Sequence, residues 1–146
     1  MKQVANDIMA RMCKQLQGWL NGTTPKTDEA LAEMRGGLHR DLTSVYPSGN
    51  ESSDFADGLP NAHGANPAFR VAILPEKTRV IYSDVDVMVV AYLFVQAGAK
   101  AVQRHLHASR VTTVLVREGD DWQAIRMHES FITTEEETSL DFSTVS

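Results

Sequence analysis

From Val4 to Leu20 the apolar positions fall at helical spacing. Val4, Ile8, Met12, Leu16 and Trp19 follow one another at steps of four, four, four and three, and Cys13 and Leu20 widen the stripe. The pattern predicts an amphipathic helix that ends at Asn21-Gly22, because glycine takes the left-handed conformation of a helix C-terminus without a Cβ penalty. A second helix is predicted to start at Thr27, with Asp28 and Glu29 placed at the positive end of the helix dipole. Leu31, Met34 and Leu38 give its buried face, and Gly36-Gly37 falls inside it. Residues 42–46 read as the end of that helix or as a short strand, before Pro47-Ser48-Gly49 forces a turn.

Residues 50–67 are polar and rich in turn formers, and read as a loop with one short helical turn. Beyond them the period changes. Residues 69–74 form a short strand, residues 78–96 one strand or two with a break near Ser83-Asp84, residues 103–117 the next, and residues 122–132 the last. Val, Ile, Thr, Tyr and Phe dominate these runs, as a pleated surface favours. All five prolines lie at or before Pro75, and only Gly98 and Gly119 follow it, both placed as hairpin turns. Residues 135–146 are acidic, rich in Ser and Thr, and aperiodic, so the expected organisation is one domain over 1–134 and an acidic tail over 135–146. Helices first and a meander second predict an α+β fold. A curved antiparallel sheet with the N-terminal helices on its concave face would bury Leu16 and Trp19. Val111, Leu115 and Ile125 are then expected on the other face, which predicts a partner sheet, most simply in a homodimer.

Composition adds exclusions. The chain has 146 residues, 42% hydrophobic and 23% charged, which suits one globular domain and excludes collagen-like, coiled-coil and wholly disordered chains. The net charge of −5 argues against nucleic acid as a partner. It is unevenly spread: residues 118–146 hold eight acids and one base, Arg126. The longest apolar run, Val87 to Val95, is strand length and far short of the roughly 18 residues of a membrane span. The first residues show no apolar signal region, and Cys13 has no second cysteine to pair with, so a reducing, cytoplasmic setting is expected.

The strand Arg110–Arg117, the charged turn Glu118–Trp122 and the run Met127–Ser130 resemble the C-terminal hairpin of the nuclear transport factor 2-like superfamily. That hairpin has an Arg-led strand, a charged glycine turn, a Trp, and a His and a Ser six and eight residues after it, here Trp122, His128 and Ser130. Val45–Gly49 resembles the superfamily's turn of pattern hydrophobic-x-Pro-x-Gly, and Tyr92–Gln96 its central strand. The SnoaL-like branch and the association domain of calcium/calmodulin-dependent protein kinase II are the most similar in character. The resemblance implies a cone-shaped α+β barrel that assembles through its sheet. Phe94 stands where many relatives have an acidic residue, and Arg126 where the usual pattern has a His.

Strand alternation puts Arg110, Thr112, Val114 and Val116 on one face, Trp122, Ala124, Arg126, His128 and Ser130 on one face of the next strand, and Tyr92, Phe94 and Gln96 on one face of the central strand. The resemblance implies that these three faces line a concave pocket. Two guanidiniums in one cavity need anions. Arg110 and Arg126 would therefore hold a carboxylate, phosphate or enolate, or else pair with Asp54, Asp57, Asp84 or Asp86. His128 is the candidate catalytic residue, since its ordinary pKa lies near neutrality. The other reading is a histidine bonded to Tyr92 or a strand neighbour. Tyr92 would donate to an oxyanion or simply form wall, and Trp122 would line the pocket or anchor the core. His105 and His107 share a strand face, but no third ligand follows at metal-site spacing, so no metal and no cofactor are expected. His63-Gly64 reads as a lid residue or an ordinary turn, and Cys13 as core.

Two functions follow. One is a pocket protein for a polar, anionic or carbonyl-bearing small molecule. Its enzymatic form is an isomerase, dehydratase, cyclase or hydrolase in which His128 moves a proton while Arg110 and Tyr92 hold an enolate oxygen. The other is a non-catalytic dimerisation or assembly module. Arginines satisfied by the chain's own carboxylates favour the second, and an open cavity with free guanidiniums favours the first.

Overall fold

In the computed structural model, which describes residues 1–97 and 106–143, the first apolar stripe folds as α1 (Lys2–Asn21). Gly22 closes it at φ 80°, its N–H donating to the Trp19 carbonyl at 3.2 Å. The buried line runs through Ala5, Ile8, Met9, Cys13 and Trp19, while Val4 is exposed. α2 (Asp28–Arg35) starts as expected, with the Thr27 hydroxyl accepting the Ala30 N–H at 3.1 Å. It is shorter than predicted. Gly36-Gly37 ends it instead of lying inside it, and Leu38 opens a strand, β1 (Leu38–Val45).

The segment read as loop contains β2 (Glu51–Ser52), α3 (Phe55–Gly58) and a 3-10 turn at Leu59–Ala62. Then follow β3 (Arg70–Ile73), β4 (Arg79–Ser83), β5 (Val87–Ala97), β6 (His107–Glu118), β7 (Asp121–Phe131) and α4 (Thr134–Thr138). The turn placed at Gly98, the strand start at 103–105 and His105 lie outside the described residues. Gly119, at φ 64°, makes the turn between β6 and β7.

The strands form one curved, unclosed sheet in the order β2-β1-β7-β6-β5-β3, with β4 also paired to β5. Its pairings are antiparallel except one: β1 runs parallel to β7. The sheet is therefore mixed rather than antiparallel. The physical reason is connectivity, since β1 and β7 are joined through most of the chain and no hairpin dictates their relative direction. α1 packs against the sheet and buries Ile8, Met9 and Cys13 with Met88, Val90, Tyr92, Val111, Leu115 and Ala124.

Side-chain direction differs from the expected alternation. On β6 Val111, Thr113 and Leu115 are buried on the side that faces α1, and Val111 and Leu115 belong to the core rather than to the outer face. On β7 the register breaks: Leu115 pairs with Ala124 and Val114 with Arg126, leaving Ile125 as an extra residue. Such a bulge reverses the alternation beyond it. Trp122 and Ala124 face inward before it, and Met127 and Glu129 after it. The acidic segment past Thr133 folds back on the outer face. Thr133 caps α4 by accepting the Glu136 N–H at 3.1 Å, and Leu140 and Phe142 pack with Leu74, Leu93, Val95 and Ala108.

Candidate functional site

A cavity of about 730 Å³ opens between α1, the α3 segment and the inner face of the sheet. That size lies within the range of small-molecule sites. Met9, Met12 and Leu16 line it from α1, Phe55 and Leu59 from the α3 segment, and Phe69 from the loop before β3. β5 supplies Tyr92, Phe94 and Gln96, β6 Val111, and β7 Met127 and Glu129.

The wall has few polar groups. The Tyr92 hydroxyl is 3.0 Å from Thr113 Oγ1, and burial raises its pKa above the ordinary phenol value despite that hydrogen bond. The Ser109 hydroxyl donates to Glu129 Oε2 at 2.6 Å. Burial pushes the Cys13 thiol up to about 12, so it stays protonated at neutral pH. Asp54 and Asp57 are exposed at the mouth.

The α3 side of the cavity is tied to the end of α1. Trp19 Nε1–H donates to the Leu59 carbonyl at 2.6 Å, and the N–H groups of Gly64 and Asn66 donate to the carbonyls of Trp19 and Leu20, both at 2.9 Å. His63 belongs to this tether: its ring stands edge-on to Trp19 at 4.7 Å and its Nε2–H donates to the Thr24 carbonyl at 2.6 Å. A side chain at Gly22 would place its Cβ 3.3 Å from Gly64 Cα, so close approach and positive φ both require glycine there.

Of the five residues singled out in the sequence, the structure brings Tyr92 to the cavity. Trp122 packs against the edge of the core with the Arg117 guanidinium over its ring at 5.1 Å, and does not line the cavity. Arg110, Arg126 and His128 are turned away from it. Arg110 pairs with Glu136 of α4, and Arg126 pairs with Glu51 and donates to Thr43 Oγ1 at 2.7 Å. His128 is exposed and stands opposite Thr112 on β6. The inward placement expected for these three is thus reversed, on β7 by the bulge at Ile125. The four aspartates considered as partners are not used; Glu51 and Glu136 are.

Sequence reasoning missed Glu129 and Met127. A usable signal was present: Arg110, Arg126 and His128 share a side, and charge on one side of a half-covered sheet marks the solvent face. Among the described residues no group of three or more His, Cys, Asp or Glu is placed to share a metal ion, and no helix is long and apolar enough to cross a membrane.

No protein-family model and no curated protein matches the sequence. Solved structures do. A nuclear transport factor 2-like protein of unknown function from Pseudomonas aeruginosa superposes with a TM-score of 0.70 at 21% identity, over 84% of this chain and 94% of that one. The association domain of calcium/calmodulin-dependent protein kinase II from C. elegans gives 0.61 at 18% identity, over 88% and 96%. A candidate aromatic ring hydroxylase from Novosphingobium aromaticivorans gives 0.63 at 11% identity, over 90% and 89%. At these identities the likeness establishes the fold: the chain has the nuclear transport factor 2-like α+β fold.

Proposed function

We propose that this protein, a chain of nuclear transport factor 2-like fold, binds a largely apolar small molecule in the cavity between α1 and the sheet. The observation that carries the reading is the cavity itself, about 730 Å³ left open between walls of Met, Leu and Phe. Protein interiors ordinarily close such space, because a void forfeits dispersion contacts and hydrophobic burial. Polar side chains at the wall, among them Glu129, Tyr92, Gln96, Gln15 and Ser44, are outnumbered by apolar ones, as in sites where apolar contact supplies affinity and polar groups set orientation. This keeps the SnoaL-like pocket reading but changes its ligand. The anionic preference rested on Arg110 and Arg126, and neither lines the cavity. In an enzymatic version, His128 is turned away from the cavity, and Glu129 is a half-buried carboxylate at the wall able to hold or move a proton.

An assembly role is a second reading, supported by the outer face of the sheet. Val87, Val89, Ala91, Val114 and Val116 are half-buried there and not covered by α4, and they would pair with a second copy in a homodimer. A cytoplasmic setting suits the lone Cys13. Native mass spectrometry of the purified protein tests both readings. The pocket reading expects a co-purified small molecule that is released on denaturation and depleted in Phe94→Trp, a variant that narrows the cavity. The assembly reading expects a dimer mass in both proteins. An empty wild-type cavity that also takes up no apolar probe overturns the pocket reading.

A further inference from the structure

We propose that the cavity selects an apolar amine, bound as its ammonium ion against the Glu129 carboxylate. The inference rests on the pocket reading and names its ligand class. Glu129 is half-buried and lines the cavity from β7. Among the described residues its hydrogen-bond partner is the Ser109 hydroxyl, and no Lys, Arg or His forms an ion pair with it. A carboxylate offers about four acceptor sites, so one hydroxyl leaves most of them unfilled.

The rest of the wall has the same sign. Asp54 and Asp57 stand at the mouth, and among the described residues no Lys, Arg or His lines the cavity. Among the described residues, Arg35 donates to the Ala56 carbonyl, and Arg126 is held by Glu51 on the outer face. An anionic ligand would meet a half-buried carboxylate with no compensating charge, which is costly in a medium of low dielectric. A neutral ligand would leave that carboxylate with a single donor. An ammonium group supplies both the missing charge and the missing donors. The walls suit the remainder of such a molecule. Met9, Met12, Met34 and Met127 present flexible, polarisable thioethers, and Phe55 and Phe94 present rings that accept a cation at their faces.

Calorimetric titration with matched probes tests this. Tryptamine, tryptophol and indole propionate share one aromatic body and differ in the charge of the tail, and the phenyl and naphthyl counterparts vary the body. The expected result is an amine that binds at least about tenfold more tightly than the alcohol, with the carboxylate weakest. Glu129→Gln keeps an oxygen for Ser109, and in it the amine loses its advantage over the alcohol. Phe94→Trp, which narrows the cavity, weakens binding of all three. Equal affinities for amine and alcohol, or a preference for the carboxylate, overturn the amine assignment and leave the pocket reading standing. Failure of every probe to bind overturns the pocket reading and the inference with it.

Discussion

Arg110 of β6 is held by Glu136 of α4, on the side of the sheet opposite the cavity. The pair is partly exposed, so solvent screens it, and its contribution to stability is expected to be at most about 1 kcal/mol. Arg110→Ala is therefore predicted to shift the urea midpoint only slightly and to leave ligand affinity in the cavity unchanged. Arg126→Ala should behave alike, since its guanidinium is engaged by Glu51 and Thr43. A large loss of affinity in either variant, measured by titration with the same probe as wild type, would mean that the guanidinium reaches the ligand after all.

That prediction is the opposite of what strand alternation suggests, and the difference shows what the sequence can and cannot carry. The helix over Lys2–Asn21, the capped start at Thr27, the break between β4 and β5, and the α+β class all follow from local periods and turn chemistry. The inward set on β5, namely Tyr92, Phe94 and Gln96, follows from alternation. On β6 alternation cannot choose, because Val111, Thr113 and Leu115 are as apolar as Thr112, Val114 and Val116. On β7 a single extra residue, Ile125, reverses everything after it. Parallel pairing of β1 with β7 is a long-range property with no local signature. The partners of Arg110 and Arg126 come from α4 and β2, two short elements in segments that read as tail and loop.

Cys13 gives a pH dependence with a definite sign. In the folded chain the thiol is pushed from 9.0 up to about 12 by burial. Between those values the unfolded chain releases this proton and the folded chain retains it, so unfolding is favoured as pH rises. Stability is expected to be unaffected by Cys13 below pH 9 and to fall above it, at a limiting slope of about 1.4 kcal/mol per pH unit. The buried Tyr92 hydroxyl adds a loss of the same sign at still higher pH. Cys13→Ala should flatten the decline in urea-unfolding free energy above pH 9. An unchanged slope would show that the thiol ionises as readily in the folded chain as in the unfolded one.

The tether between α1 and the α3 segment predicts a separable effect on the cavity. Trp19→Phe keeps the aromatic packing but removes the Nε1–H donor that the buried Leu59 carbonyl accepts. The expected cost is about 1–3 kcal/mol. Because Leu59 lines the cavity, hydrogen exchange should rise in residues 55–66 before it rises in β5 or β6. Uniform acceleration across the sheet would make the tether a part of the global fold instead of a local restraint on this wall.

The outer face of the sheet provides a test of assembly that does not touch the cavity. Val89 of β5 and Val114 of β6 face each other in register on that side, both half-buried in the single chain. An aspartate at either position adds a charge to a surface that already contacts solvent, so it costs the monomer little. In a homodimer the same charge is removed from water with no partner, and two-fold symmetry introduces it twice. Val89→Asp is therefore expected to convert a dimer to a monomer in sedimentation velocity while its far-ultraviolet circular dichroism and probe affinity stay those of wild type. Retention of the dimer mass would move the interface off this face, to a surface such as Ile81, Tyr82 and Val85, where exposed apolar side chains also gather.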